Sequence, residues 1–336
     1  MPIKNVSEKI TPTYREEMET ILGHLYRFMP KAILSPNGNK YFRLVDSLRE
    51  KTFTKAEREI RPVEWRPGTT FKTDLSERYG CEIHNGYFQE KYETQMFQEL
   101  LAPGSVVFDV GANFGLYTIL SAQAVLPTGS VYAFEPVERS FDLLAENIRI
   151  NKLEDIARCY NLCVGAADGQ TEFYVTEDAA FSGMAFTQRS PLLQTKTVQV
   201  RSIDSFFRES GQTSINALKI DVEGFEYAVL AGAIKTIRNS PEIVILLEVS
   251  SKNLTPERKA NLLSALESLY MLGFQGWCHN ENSDEMQVYS SCAQLVELQS
   301  AAVFLVRAGS AREKDLLRAH AIIVNSLKIE SSIAVA

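Results

Sequence analysis

Long apolar runs are missing from this chain of 336 residues. The longest, such as Ile243 to Leu247, are far too short to span a bilayer, which predicts no membrane partner. The opening residues Met-Pro-Ile-Lys-Asn-Val-Ser lack a charged segment followed by an apolar one, so no secretory signal is expected and a cytoplasmic location is. Cysteine is sparse: Cys81, Cys159, Cys163, Cys278 and Cys292 form no Cys-x-x-Cys pair, which argues for free buried thiols in a reducing compartment. The histidines are as few. His24 falls in an N-terminal helical stretch, His84 and His279 in expected loops and His320 in the last expected helix, with no pair at ligand spacing, so packing roles are expected. Positive charge is also short: a net charge of −7 argues against a nucleic-acid partner, which would call for a basic face. No internal repeat or low-complexity tract is present. What remains, 45% apolar and 23% charged residues, describes a soluble globular chain, long enough for one α/β domain and an appendage.

The chain is organised around Val106-Val-Phe-Asp-Val-Gly-Ala-Asn-Phe-Gly-Leu-Tyr-Thr118. Val106 to Val110 suits a strand buried on both faces, and a helical pattern (Leu116, Ile119, Leu120, Ala122, Val125) follows Gly111 and Gly115. A buried strand running through a glycine turn into a helix lets the backbone approach a ligand, and the helix start favours an anionic group. The next apolar strand, Val131 to Phe134, ends in Glu135, where a carboxylate can grip a ribose. A dinucleotide loop would require glycine at 113 and 116, where this chain has Asn113 and Leu116, and no Walker lysine follows. A nucleotide-linked oxidoreductase and an ATP cradle are therefore disfavoured.

Residues 1–70 read as a separate helical extension, a cap, lid or dimer contact, with helices over Tyr14 to Met29 and Tyr41 to Glu59 and a linker at Arg61 to Gly68. Residues 71–336 form the main domain. A short strand is expected within Thr73 to Glu82 and a helix over Gly86 to Leu101. From Val106 strands and helices alternate, the mark of a parallel sheet. The expected helices cover 138–151, a segment ending near Ile237, and a stretch from the Thr255-Pro256 cap to Leu272. The expected strands are Arg158 to Val164, Thr171 to Val175 as an added hairpin after the Asp168-Gly169 turn, Lys196 to Arg201, Ala217 to Ile220, Ile243 to Leu247, Phe274 to Cys278, Met286 to Tyr289 and Ala302 to Val306. A last helix spans Arg312 to Ser326.

Three stretches together, Asp109-Val-Gly-Ala-Asn-Phe-Gly115, Ala133-Phe-Glu-Pro136 and Lys219-Ile-Asp-Val-Glu-Gly-Phe-Glu226, resemble the FkbM-type methyltransferase family. The likeness covers about residues 90 to 250. It implies a class I methyltransferase fold: a Rossmann-like α/β arrangement with a mostly parallel seven-stranded sheet, its last strand antiparallel, flanked by helices. It also implies S-adenosylmethionine as cofactor and O-methylation of a sugar, glycan or natural-product hydroxyl.

In this frame Asp109, Gly111, Asn113 and Gly115 are the candidates for the methionine end of the cofactor, Glu135 for the ribose, and the segment ending at Gly165 for the adenine border. An alcohol is a poor nucleophile until its proton is taken. Asp221 and Glu223 stand at a strand end where strand alternation predicts that both face one side, and Glu248 ends the next strand. One of them could act as base, or the group could hold a divalent cation such as magnesium. Lys219 is expected to pair a neighbouring carboxylate, and Phe181, Met184 and Trp277 are candidates to line an acceptor pocket. The Asn/Asp-Pro-Pro-Tyr/Phe turn of many amine methyltransferases is absent at Asp221, which favours oxygen as the acceptor atom. A non-catalytic binding module that keeps the fold is the competing reading, and a homo-oligomer is compatible with it all.

Overall fold

The computed structural model describes residues 60–84, 90–280 and 283–335, with side chains up to 327. The two N-terminal helices expected within residues 1–59 lie outside that range. The chain divides into two compact units, Met1–Gln89 and Glu90–Ala336.

In the first unit, β1 (Ile60–Arg66) and β2 (Thr69–Asp74) form an antiparallel hairpin followed by α1 (Arg78–His84). The stretch read as a linker from its prolines is thus mostly strand. Two-stranded pairing explains the tolerance, because a proline lacking its N–H sits without loss on an edge strand. Pro62 lies opposite Lys72, and β1 alternates exposed and half-buried residues along its length. The short strand expected from Thr73 ends at Asp74, and the helix takes the rest.

The second unit carries, in order, α2 (Lys91–Glu99), β3 (Val106–Val110), α3 (Leu116–Val125), β4 (Ser130–Phe134), α4 (Glu138–Ile150), β5 (Ala157–Tyr160), β6 (Cys163–Val164), β7 (Gly169–Thr176) and β8 (Leu192–Arg201). Then come α5 (Ile203–Ser210), β9 (Ala217–Ile220), α6 (Glu226–Arg238), β10 (Val244–Val249), α7 (Pro256–Met271), β11 (Phe274–Asn280), β12 (Glu285–Tyr289), α8 (Cys292–Leu295), β13 (Ala301–Arg307) and α9 (Ala311–Val335). The main sheet has the order β12-β11-β13-β10-β9-β3-β4-β5. Strands β5, β4, β3, β9 and β10 run parallel, and β13 is antiparallel to β10. This is the class I methyltransferase fold implied by the resemblance, with β12 added as an eighth strand.

Every residue of β3 and β9 is buried, as strands covered on both faces must be. The core joins Phe108, Phe134, Leu218, Ile245 and Leu305 of the sheet to Val229 and Leu266 of the helices. Thr255 caps α7 by accepting from Arg258 N at 3.3 Å, with Pro256 in the first turn.

One strand expectation is corrected. Residues 158–164, read as a single strand, break after Tyr160. β5 stays in the main sheet, while β6 joins β8 and β7 in a separate three-stranded sheet. Asn161 turns its amide into the break and donates to Glu135 O at 2.9 Å.

Strand β3 is the point where the order reverses, with β4 on one side and β9 on the other. In open α/β sheets the crevice beyond the strand ends at such a point is where ligands bind. Gly111 and Asp221 follow directly on those two strand ends.

Candidate active site

At the end of β3 the chain turns sharply. Gly111 has φ 77°, Asn113 φ 50° and Gly115 φ 97°. Gly111 cannot be replaced without movement, since a Cβ there would lie 1.8 Å from the carbonyl oxygen of Asp221. The glycine loop and the β9 end are therefore in direct contact. Gly111 N and Ala112 N both donate to Phe134 O at 3.0 Å, which ties the same loop to the end of β4.

Glu135 closes that corner. It is buried, accepting from Asn113 N at 2.9 Å through Oε2 and from Val137 N at 2.7 Å through Oε1. Burial pushes its pKa up to about 7 against the pull of those two N–H groups. A carboxylate has about four lone-pair directions, so capacity remains for hydroxyl donors. The side-chain oxygen of Asn113 is buried with no hydrogen-bond partner among the described residues.

Asp109 lies beneath the loop, fully buried, and accepts from Thr118 Oγ1 at 2.6 Å. Lys219, in β9 and 5% exposed, supplies the charge that makes this tolerable. Its Nζ donates to Gly111 O at 2.8 Å, pairs with Asp221 Oδ2 at 3.2 Å and stands 3.8 Å from Asp109 Oδ1. Burial alone would lower the lysine pKa, but the carboxylates of Asp221, Asp109 and Glu90 outweigh it and hold it raised. Burial raises Asp109, opposed by Lys219 and Thr118. The pairing expected for Lys219 is present, and through it Asp109 orients the loop.

The three candidate carboxylates come together: Asp221, Glu223 and Glu248 each place an oxygen within 4.8 Å of the others. The cause differs from the strand alternation expected. Strand β9 ends at Ile220, and the turn at Glu223 (φ 55°) and Gly224 (φ 94°) brings Glu223 back beside Asp221. Glu226 holds this turn, its Oε1 accepting from Val222 N at 3.2 Å and Gly224 N at 3.1 Å, and burial lifts its own pKa to about 7. Glu248 enters from β10, one residue before its end.

The charges in this cluster are unequal. The negative charge of Asp221, then burial, drives the Glu248 pKa well above the usual carboxylate range. Burial works to raise Asp221, yet Lys219 and a hydrogen bond from Glu248 leave it lowered. Asp221 is thus the ionised partner and Glu248 the proton holder. Glu223 is ion-paired with Arg189.

Sequence reasoning missed Arg189, Glu90 and Tyr117. Tyr117 OH donates to Glu90 Oε2 at 3.4 Å, and the Lys219 ammonium stands 5.3 Å from the Tyr117 ring centre. Gly165, by contrast, has a packing reason to be glycine, since a Cβ there would lie 2.9 Å from Val200 Cγ1, and its carbonyl oxygen in turn excludes a Cβ on Gly232 of α6, which would lie 2.1 Å away. Phe181 carries the Arg189 guanidinium 4.1 Å above its ring. Met184 packs on the small core of the three-stranded sheet, and Trp277 is buried in β11.

The histidine placement also differs. His279 lies in β11 and stacks on Tyr92 with ring centres 3.9 Å apart, while Tyr92 OH meets His320 Nδ1 at 2.8 Å. His84 ends α1. The pairing of His279 and His320 around Tyr92 ties α9 to α2, a packing role.

Comparison with known proteins bears on this geometry. The model of the methyltransferase FkbM domain matches residues 109–272, from Asp109 in β3 to the end of α7. The matched stretch contains the glycine loop, Glu135 and all three clustered carboxylates. Similar proteins include Methyltransferase 1 of Beauveria bassiana, 26% identical over 170 residues, which are 45% of this chain and 66% of that protein. Another is the 31-O-demethyl-FK506 methyltransferase FkbM of Streptomyces tacrolimicus, 29% identical over 161 residues, 39% of this chain and 60% of that one. The chain thus spans just under two thirds of these curated relatives. Among solved structures, methyltransferase FkbM of Methylobacillus flagellatus KT aligns over 68% of this chain and 55% of its own, with 12% identity and a TM-score of 0.38.

Proposed function

We propose that this protein is an S-adenosylmethionine-dependent O-methyltransferase acting on a hydroxyl of a sugar, glycan or natural-product acceptor. The observation that carries the reading is the junction of the Gly111 loop with the carboxylate cluster at the sheet's switch point. A cofactor loop and a candidate base touch there through Gly111 and Asp221. The match of residues 109–272 to the methyltransferase FkbM domain supports the reaction class. The relative named for methylating 31-O-demethyl-FK506 supports oxygen as the acceptor atom.

The residues present fit the cofactor. The partnerless buried oxygen of Asn113 offers an acceptor beside the loop. Glu135 would hold the ribose hydroxyls, and the loop from Gly111 to Gly115, with the N–H groups that open α3, would hold the amino-acid end. Gly165, assigned to the adenine border from the sequence, is the weakest member, because a Cβ there would already crowd Val200 Cγ1 at 2.9 Å, a packing reason for glycine. The cofactor supplies an electrophilic methyl group on a sulfonium.

The chain's own contribution is alignment and proton removal. Holding an acceptor hydroxyl against the loop makes the encounter effectively unimolecular, the larger share of the acceleration expected for such a displacement. Asp221, ionised beside Lys219, accepts the hydroxyl proton as the carbon–oxygen bond forms. Lys219 then balances the proton's arrival by remaining paired with Asp109. Glu248 keeps its own proton and orients Asp221 by hydrogen bonding.

The alternative use of the cluster, a divalent-cation site, is disfavoured by charge. Lys219 pairs with Asp221 and Arg189 with Glu223, so an incoming ion would compete with both cations. The test is incubation with methyl-labelled S-adenosylmethionine and a panel of hydroxylated sugars and polyketides, with and without magnesium. The reading requires label on an acceptor oxygen without added metal. Binding of the cofactor with no transfer to any acceptor would favour the non-catalytic module.

A further inference from the structure

The segment between β7 and β8 is more than a hairpin connection. At its base Arg139 of α4 donates through Nη2 to Thr176 O at 2.8 Å and also to Glu177 O, and Lys196 Nζ donates to Pro136 O at 3.0 Å. These contacts fasten one end of the segment to the β4 corner that carries Glu135. Within the segment, Tyr174 and Gly183 exchange backbone hydrogen bonds at 2.9 and 3.1 Å. Ser182 Oγ accepts from Thr176 N at 3.0 Å, and Ser190 Oγ accepts from Asp178 N at 3.0 Å. The backbone is therefore folded on itself and held by its own side chains.

Its far end reaches the other half of the site. A Cβ built on Gly183 would lie 3.8 Å from Glu223 Cβ, so about the width of one methyl group separates the backbone from the carboxylate stem. Arg189 lies with its guanidinium on the Phe181 ring, which fixes the plane of the fork, and its Nη1 bonds to Glu223 Oε2. The segment thus spans from the ribose corner to the carboxylate cluster across the strand ends.

Resting on the methyltransferase reading above, we propose that Arg189 is a positioning residue of the transfer site: it holds Glu223 in place beside Asp221 and Glu248 and latches residues 176–191 across the strand ends. Two consequences are separable. Without Arg189, the cluster loses the cation paired with Glu223, and that loss makes it harder for Asp221 and Glu248 to be ionised. Without the latch, the segment loses its fastening at the Glu223 end.

The test needs no acceptor. Carboxyl carbon NMR titration of Asp221 and Glu248 in wild-type protein, Arg189→Ala and Arg189→Lys reads the first consequence. Amide exchange at Tyr174 and Gly183 reads the second. Arg189→Ala should move the cluster's titration upward by about one unit, the effect of a unit charge a few ångströms away in a partly solvated site. It should also speed exchange at Gly183 by about tenfold or more, with Arg189→Lys restoring much of the titration but less of the protection. Glu223→Gln should reproduce the faster exchange, which guards against a fold defect peculiar to the Arg189 variant. An unchanged titration in Arg189→Ala, or unchanged exchange in both Arg189→Ala and Glu223→Gln, overturns the proposal. Calorimetry of wild-type protein with S-adenosylhomocysteine is read separately: its failure would remove the cofactor reading while the titration and exchange still decide what Arg189 does.

Discussion

Replacing Lys219 by methionine probes the part of the site on which every other part leans. The side chain is 5% exposed, so methionine of similar length fills its space and the change is mainly one of charge. Three groups lose their partner together: Gly111 O at 2.8 Å, Asp221 Oδ2 at 3.2 Å and Asp109 Oδ1 at 3.8 Å. Asp109 is the decisive one, since it is fully buried and among the described residues keeps only the Thr118 hydroxyl. Breaking a buried pair by removing one member costs about 3–5 kcal/mol, and for a unit of this size each kcal/mol lowers Tm by about 2–4 °C. A fall in Tm of about 10 °C at pH 7 is expected on that basis. The pH dependence carries a sign. Lysine's raised pKa means that its contribution in the wild type is fully present below its unfolded pKa and is lost only as pH rises through the still higher folded value. In the variant, Asp109 relieves its burial by taking up a proton, so the deficit should shrink as pH falls from 7 toward 5. Thermal unfolding of the two proteins across that range measures it. A variant as stable as wild type at pH 7, or a deficit that widens on acidification, would refute the argument.

Other expectations follow from single contacts. Asp221→Asn keeps shape while removing the proton acceptor, so turnover with an acceptor should drop by about 10²-fold or more with S-adenosylhomocysteine affinity little changed, as steady-state rates and calorimetry would reveal. Gly232→Ala drives a methyl to 2.1 Å from Gly165 O, and should lower Tm by several degrees through overpacking, whereas an unchanged Tm would free Gly165 for another role. Glu135, with its pKa raised to about 7, remains protonated in the folded chain while its unfolded counterpart ionises from about 4.5. Its contribution to stability therefore declines as pH rises from about 4.5 to about 7 and is level above that, to be checked by comparing the pH profile of Tm with that of Glu135→Gln.

The main sheet was legible because its strands are buried on both faces and so read as uninterrupted apolar runs, each stopped by a glycine or an acid. Asp109, Glu135 and the Lys219-to-Glu226 stretch stand at those stops, and the chain order of the motifs was enough to place them. What the sequence hid depends on contacts between distant segments. Arg189 sits in a stretch with weak periodicity, and nothing local indicates that it meets Glu223. The meeting of Asp221 with Glu223 was anticipated for the wrong reason, because a left-handed backbone at Glu223 cannot be read from a residue type that seldom adopts it. Prolines at 62 and 67 masked the β1–β2 hairpin, since proline signals a break unless a strand is known to be at an edge. The split between β5 and β6 was hidden because Asn161 looks the same inside a run as at a turn.

The central claim is that the corner made by the Gly111 loop and Glu135 receives S-adenosylmethionine. Calorimetric titration with S-adenosylhomocysteine at pH 6 and pH 8, on wild-type protein and Glu135→Gln, tests it most directly. The account predicts micromolar binding that needs no magnesium and tightens toward pH 8 as Glu135 ionises. Glu135→Gln should lose that pH dependence and about 1–3 kcal/mol of affinity, the worth of a charged hydrogen-bond acceptor. No binding by the wild-type protein at either pH, or equal affinity in both proteins at pH 8, would contradict it.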